Sequence, residues 1–291
     1  MRHVYHCPLR WADMDSLGHV DNVTYVDYLQ EARVDMLAVH APVTGGEELA
    51  EGVVVVRTEV EFDEPLRFRP DPVRIESWVT DVRAASFTLA YEILDVLPDG
   101  ERRVYARATT VLSPFVFAQE RPRRIRPEER EILQRFRGPG FAGSTPAASG
   151  DEADGQSYEC RVRFSDVDIF GHVNNVKYFE YYREARIAAL AGLSDGQADP
   201  DGSVVVARVD VDYRRPILFR PEPYTIRTWV TRVGRSSYDV TAEIRDGETT
   251  LSRAVAVMVT FDREAQRARP LTDPERARLQ STLSHMESST G

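Results

Sequence analysis

Two aspartates and a histidine fall within seven residues, at Asp13, Asp15 and His19, just before a long apolar and aromatic run. The same set recurs at Asp166, Asp168 and His172. A carboxylate can take a proton from water or attack an electrophilic carbon itself. A histidine titrates near neutrality and can act as a base. Each type also has a structural use: an aspartate just before a helix most often caps it or makes a turn, and a histidine can brace a loop. Asp13 and Asp166 are read as cap or turn residues. His19 and His172 stand as base candidates, with loop bracing as the alternative role.

The elements that position these groups follow from periodicity. Residues 4–12 and 157–165 alternate in polarity and predict strands. A loop containing Gly18 or Gly171 comes next, and glycine lets the backbone adopt conformations that other residues avoid. In the segments NVTYVDYLQEARVDMLAV and NVKYFEYYREARIAALAGL, apolar residues recur three and four apart, which predicts helices. Asp21 and Asn174 sit at the N-cap position of these helices. Tyr28 and Tyr181 read as core. Tyr25 and Tyr178 are candidates to touch a substrate. Glu31 and Glu184 are candidates for second carboxylates in a pocket, or for surface pairs with arginine. Four Val-, Thr- and aromatic-rich strands follow each helix. Short polar helices are predicted at 128–136 and 274–284.

The chain repeats itself. WADMDSLGHVDNVTYVDYLQEAR (11–33) aligns without a gap on FSDVDIFGHVNNVKYFEYYREAR (164–186), with 12 identities in 23 positions. The repeat continues as PLRFRPDPVRIESWVTDV on PILFRPEPYTIRTWVTRV and as RPRRIRPEEREILQ on RARPLTDPERARLQ. Two copies of one domain result, at 1–135 and 157–282. A Gly-, Ser-, Ala- and Pro-rich stretch at 136–156 reads as a flexible linker, and 283–291 as a polar tail. One long helix with several strands per copy implies an α+β layer, a curved antiparallel sheet around a central helix.

Composition narrows the function. A net charge of -10 disfavours nucleic acid as a partner. No apolar run reaches the roughly 20 residues of a membrane span, and the N-terminus has no secretory h-region. The expected location is the cytoplasm, with no membrane partner. Two cysteines, Cys7 and Cys160, leave a disulfide framework or a cysteine metal site without support.

The run Asp-x-Asp-x-x-Gly-His-Val-Asn-Asn-x-x-Tyr-x-x-Tyr-x-x-x-Ala-Arg resembles the start of hotdog-fold acyl-CoA thioesterases of the 4-hydroxybenzoyl-CoA thioesterase type. The second copy fits throughout, and the first departs with Asp21 where the pattern has Asn. The resemblance implies two tandem hotdog domains paired as a pseudo-dimer, with Asp15 and Asp168 as catalytic carboxylates and the backbone N–H of Asn22 and Asn175 polarising the thioester carbonyl. It implies no metal and no cofactor, CoA entering only as part of an acyl-CoA substrate, and it is compatible with a homo-oligomer of double-hotdog chains. The nucleotide side falls on Arg235, Ser236 and Ser237 in VGRSSYDV. VRAASFTL in the first copy keeps Arg83 and Ser86, with Ala84 facing Arg235 and Ala85 facing Ser236. The physical chemistry agrees, because thioester hydrolysis builds charge on an oxygen that unpaired helix N–H groups can receive. An acyl-ACP thioesterase and a non-catalytic acyl-binding or scaffolding protein are the alternatives. The Gly-Asp-x-Asn-Pro-Leu-His type run of hotdog dehydratases is not found.

Overall fold

The computed structural model describes residues 1–41, 52–141, 155–193, 204–262, 264–265 and 267–284. The chain divides into two compact units, Met1–Ser144 and Thr145–Gly291. The first runs β1 (His3–Cys7), α1 (Asn22–His40), β2 (Val53–Phe62), β3 (Val73–Val82), β4 (Phe87–Val96), β5 (Arg102–Val116), β6 (Arg121–Pro122) and α2 (Pro127–Arg135). The second repeats it as β7 (Gln156–Cys160), α3 (Asn175–Leu193), β8 (Val204–Tyr213), β9 (Tyr224–Val233), β10 (Ser237–Asp246), β11 (Thr249–Asp262), β12 (Arg267–Ala268) and α4 (Asp273–Ser284).

In the first unit the long strands pair antiparallel in the order β1-β3-β4-β5-β2, and in the second as β7-β9-β10-β11-β8. The helix α1 packs on β1 and β3, and α3 on β7, β9 and β10. Buried apolar and aromatic residues of α1 fall at Val23, Tyr25, Val26, Tyr28, Leu29, Ala32, Met36 and Leu37, a stripe at helical spacing. Ile75, Leu89, Tyr91 and Ile93 cover it from the sheet side and are fully buried. Each unit is therefore an α+β hotdog domain, and the two follow in tandem.

Two details differ from the sequence reading. The first strands end at Cys7 and Cys160 rather than at residues 12 and 165, and Trp11–Asp13 and Phe164–Asp166 form single 3-10 turns. The partner strands explain this. β3 and β9 begin at Val73 and Tyr224, after Arg69-Pro70-Asp71-Pro72 and Arg220-Pro221-Glu222-Pro223, and proline supplies no N–H to a ladder. Residues 136–141, assigned to the linker by composition, run alongside β3. Phe136 is buried, Val79 N–H donates to Phe136 C=O at 3.0 Å, and Trp78 Nε1 donates to Pro139 C=O at 2.7 Å. A Cβ on Gly138 would stand 2.5 Å from Trp78 Cδ1, so glycine is needed where the indole closes on the chain. The rest of the linker, 142–154, and the tail from 285 lie outside the described residues.

Candidate active site

Each helix begins in the same way. Asp21 Oδ1 accepts from Val23 N–H at 2.9 Å and Asp21 C=O from Thr24 N–H at 2.9 Å. Asn174 does the same for Val176 and Lys177, at 2.9 Å each. Such a cap is worth about 1 kcal/mol. It consumes the N–H groups of the second and third helical residues and leaves that of the first. Among the described residues the N–H of Asn22 and of Asn175 has no acceptor, and each opens a helix of 19 residues whose dipole places partial positive charge there.

The aspartate loop folds back onto this point. Met14 bridges Val20, and Val167 bridges Val173. Asp15 Oδ1 accepts from Leu17 N–H (2.8 Å) and His19 N–H (3.1 Å), while Asp15 N–H donates to His19 C=O at 2.7 Å. Asp168 repeats this with Phe170 N–H (2.9 Å), His172 N–H (3.3 Å) and His172 C=O (2.8 Å). Gly18 and Gly171 close the turn at φ +74° and +82°, where L side chains are strained. One carboxylate oxygen of each aspartate is thus committed to the loop. For Oδ2 the described residues supply no hydrogen-bond partner, and the side chains are half-buried. The histidines brace the loop through their main chain.

A second clamp comes from residues that sequence reasoning missed. Val20 N–H donates to Leu66 C=O at 2.8 Å, and Leu66 N–H donates to the Tyr25 hydroxyl at 3.1 Å. The second unit has Val173 to Ile217 at 2.9 Å and Ile217 to Tyr178 at 3.1 Å. The helix therefore holds the segment that holds the loop. Tyr25 and Tyr178 are 3% exposed with their hydroxyls engaged in this clamp. Burial pushes the Tyr25 phenol up to about 12 and raises that of Tyr178 also, so both stay neutral. The repeated Pro-x-x-Phe-Arg-Pro segment carrying Leu66 and Ile217 was the available signal.

Asp13 and Asp166 serve structure. Asp13 Oδ2 accepts from Arg10 N–H at 2.8 Å, and Asp166 Oδ2 from Arg163 N–H at 2.8 Å. Their carbonyls accept from Asp21 N–H and Asn174 N–H, both at 2.8 Å, which locks the 3-10 turn to the helix cap. Beside the loops stand exposed aromatic pairs, Trp11 on Phe68 and Phe164 on Phe219, edge to face at 5.5 and 6.1 Å.

The other candidates sit elsewhere. Glu31 and Glu184 are exposed, nine residues along the helix from Asn22 and Asn175, about 13 Å at the helical rise. Arg83 and Ser86 form the β3–β4 turn, where Arg83 N–H donates to Ser86 C=O at 2.8 Å and Arg83 Nε to Asp81 at 2.9 Å. Arg235, Ser236 and Ser237 form the β9–β10 turn, closed by Gly234 N–H on Ser237 C=O at 2.7 Å. Leu271 N–H and Thr260 N–H bind the Arg235 and Ser236 carbonyls. The cysteines are buried, and burial pushes both thiols up to about 12, which removes them as nucleophiles at neutral pH. Among the described residues no helix is long and apolar enough to cross a membrane.

Comparison with known proteins agrees with this geometry. Residues 9–136 and 162–279 each match the model of the thioesterase-like superfamily. The uncharacterized protein YsmA of Bacillus subtilis (strain 168) is 36% identical over 126 residues, 42% of this chain and 82% of its own. The 12:0-ACP thioesterase of Umbellularia californica superposes with a TM-score of 0.67 at 18% identity, covering 93% of this chain and 94% of the other. An acyl-ACP thioesterase of Bacteroides thetaiotaomicron gives 0.65 at 15% identity, covering 88% and 97%. At such identities the two structures speak for the fold, while the family match spans both copies of the aspartate loop and helix: this chain belongs to the thioesterase-like superfamily.

Proposed function

We propose that the chain hydrolyses acyl-CoA thioesters to a free carboxylic acid and CoA, with one site on each copy. The observation that carries this reading is the pairing of an N–H on Asn22 or Asn175 at a helix start, without an acceptor among the described residues, with a carboxylate in the adjoining loop whose second oxygen has no partner among them. The thioester oxygen sits against the N–H. Water attacks the acyl carbon as Asp15 or Asp168 takes its proton, and the charge gathers on the oxygen facing the helix. The C–S bond then breaks, the electron pair leaves with sulfur, and the proton passes to the thiolate. If the carboxylate attacks first, an anhydride forms with loss of CoA thiolate, and water cleaves it. In both routes the helix N–H stabilises the same developing charge, an effect worth about 10²–10³ in rate for one such donor.

Purified protein, acyl-CoAs of varied chain length and aromatic acyl groups, and a thiol reagent would measure CoA release. Asp15→Asn and Asp168→Asn are each expected to lower turnover, and together to abolish most of it. Undiminished turnover in the double variant would overturn the mechanism. Release from none of the substrates would favour an acyl-binding role. The fold is shared with two proteins named as acyl-ACP thioesterases, and the reaction is identical with the thiol on a carrier protein. Acyl-ACP assayed beside acyl-CoA distinguishes the carriers.

A further inference from the structure

At the helix start the two copies differ in the cap, Asp21 against Asn174, and in one hydroxyl supplied from the sheet. Tyr213, the last residue of β8, donates to the Asn175 carbonyl at 3.1 Å and packs its ring edge-on against Tyr178, with centroids 4.9 Å apart. The repeat places Phe62 at this position in the first copy. Phe62 makes the same edge-on contact with Tyr25, at 5.3 Å, but a phenyl ring has no hydroxyl to give. Packing is thus kept in both copies, while among the described residues a side-chain hydrogen bond to the first helical carbonyl is present only in the second. The Asn175 side-chain Nδ2 is fully buried and has no hydrogen-bond partner among the described residues.

We infer that Tyr213 is a positioning residue that holds Asn175 and its outward N–H in place, and that its hydroxyl speeds turnover at the second copy. This rests on the hydrolytic reading above. A donor that must meet a developing oxyanion gains from being fixed before the reaction, because no reorganisation is then needed at the transition state. In the first copy the described residues supply no hydroxyl to the Asn22 carbonyl. The caps accept from the same two N–H groups in each copy but differ in kind, Asp21 against Asn174, so the hydroxyl is isolated by substitution within one copy. Tyr213 touches no reacting atom, and its loss should appear in kcat rather than in KM.

The test uses the full chain with one site silenced. In an Asp15→Asn background, where turnover comes from the second copy, Tyr213→Phe is expected to lower kcat about threefold to tenfold, with KM changed less than about twofold. Phe62→Tyr in an Asp168→Asn background is expected to raise kcat through the first copy. Unchanged kcat for Tyr213→Phe would overturn the inference. So would an equal fractional loss when Tyr213→Phe is placed in the Asp168→Asn background, which would mark a general structural effect. Absence of turnover in the Asp15→Asn chain would overturn it too, since the second copy would then be idle. If neither aspartate substitution affects turnover in the otherwise native chain, the hydrolytic mechanism itself fails, a result distinct from all of these.

Discussion

The Tyr28 hydroxyl donates to Asp13 Oδ2 across 2.5 Å, fifteen residues apart in sequence, and Tyr181 does the same to Asp166 at 2.7 Å. Burial and the neighbouring carboxylate raise both phenols, so each remains a donor at any pH the protein meets. Tyr28→Phe and Tyr181→Phe keep the ring and remove a bond to a carboxyl oxygen. Each is expected to cost on the order of 1.5 kcal/mol, read as a lower denaturation midpoint at unchanged m-value. An unaltered midpoint would show that the Arg10 and Arg163 N–H groups suffice for the carboxylates.

Gly18 and Gly171 adopt positive φ, and a Cβ added to either would stand in open space. Substitution therefore meets no clash, and its cost lies in the backbone conformation alone. Gly171→Ala is expected to destabilise by about 1 kcal/mol and Gly171→Asn by less, since Asn tolerates the left-handed region. Turnover should fall in the same order, because the turn aims the N–H groups that grip Asp168. Equal stability of the two variants would count against this account.

The thiols should be silent. With both raised by burial, Cys7 and Cys160 are expected to resist a thiol reagent in the native state and to react on unfolding. A chain with both replaced by Ala should hydrolyse at the native rate per folded molecule. Rapid labelling of two thiols in the native protein would contradict the burial described.

His3 gives the first unit a pH dependence that the second lacks at the matching position, Gln156. It is buried, with Nε2 2.9 Å from Asp35 and Nδ1 3.1 Å from His40. Burial lowers its pKa from the ordinary 6.5; Asp35 opposes the shift and His40 adds to it. Below about 6.5 the unfolded chain therefore binds a proton that the folded chain resists, and stability declines as pH falls from there toward the lowered folded value. Thermal midpoints at about pH 7.5 and about pH 5 should differ less in His3→Gln than in the native protein. An identical difference in both would remove His3 as the cause.

Glu76 provides a second, more acidic window. Burial alone would raise it, yet Arg102, Arg2 and Arg74 outweigh that and hold it at about 2. Its folded pKa lies below the ordinary 4.5, so the contribution is complete above that value and is lost as pH falls from 4.5 toward 2. The three guanidiniums are about a third exposed, which screens them. Glu76→Gln is expected to cost on the order of 1–2 kcal/mol at neutral pH and to flatten acid unfolding in that window. A variant that unfolds in acid just as the native chain does would disprove the assignment.

What could be read from the sequence, and what could not, divides along physical lines. Helix starts were legible because Asp21 and Asn174 precede apolar residues at helical spacing, and a cap is a local interaction between neighbours. The aspartate loop was legible because it occurs twice. The ends of β1 and β7 were not, since they depend on prolines about 60 residues downstream. The part played by Leu66 and Ile217 left no trace in side-chain type, because it is carried by their backbone. Tyr25 and Tyr28 were placed on the helix correctly, but spacing alone does not say which hydroxyl meets Asp13 and which meets Leu66. The segment 136–141 has linker composition, yet Phe136 and Gly138 are chosen for contact with β3.

The two Arg-Pro-acid-Pro segments have a further effect on how these molecules behave in a crowd. They confine β1 and β7 to five residues each at one end of each sheet. Two of every four positions next to them cannot donate, and Arg69 and Arg220 fold their side chains onto the backbone carbonyls of Asp71 and Glu222. A strand from another chain would find too short a ladder there to add itself, so these margins resist the stepwise accretion that leads to fibrils.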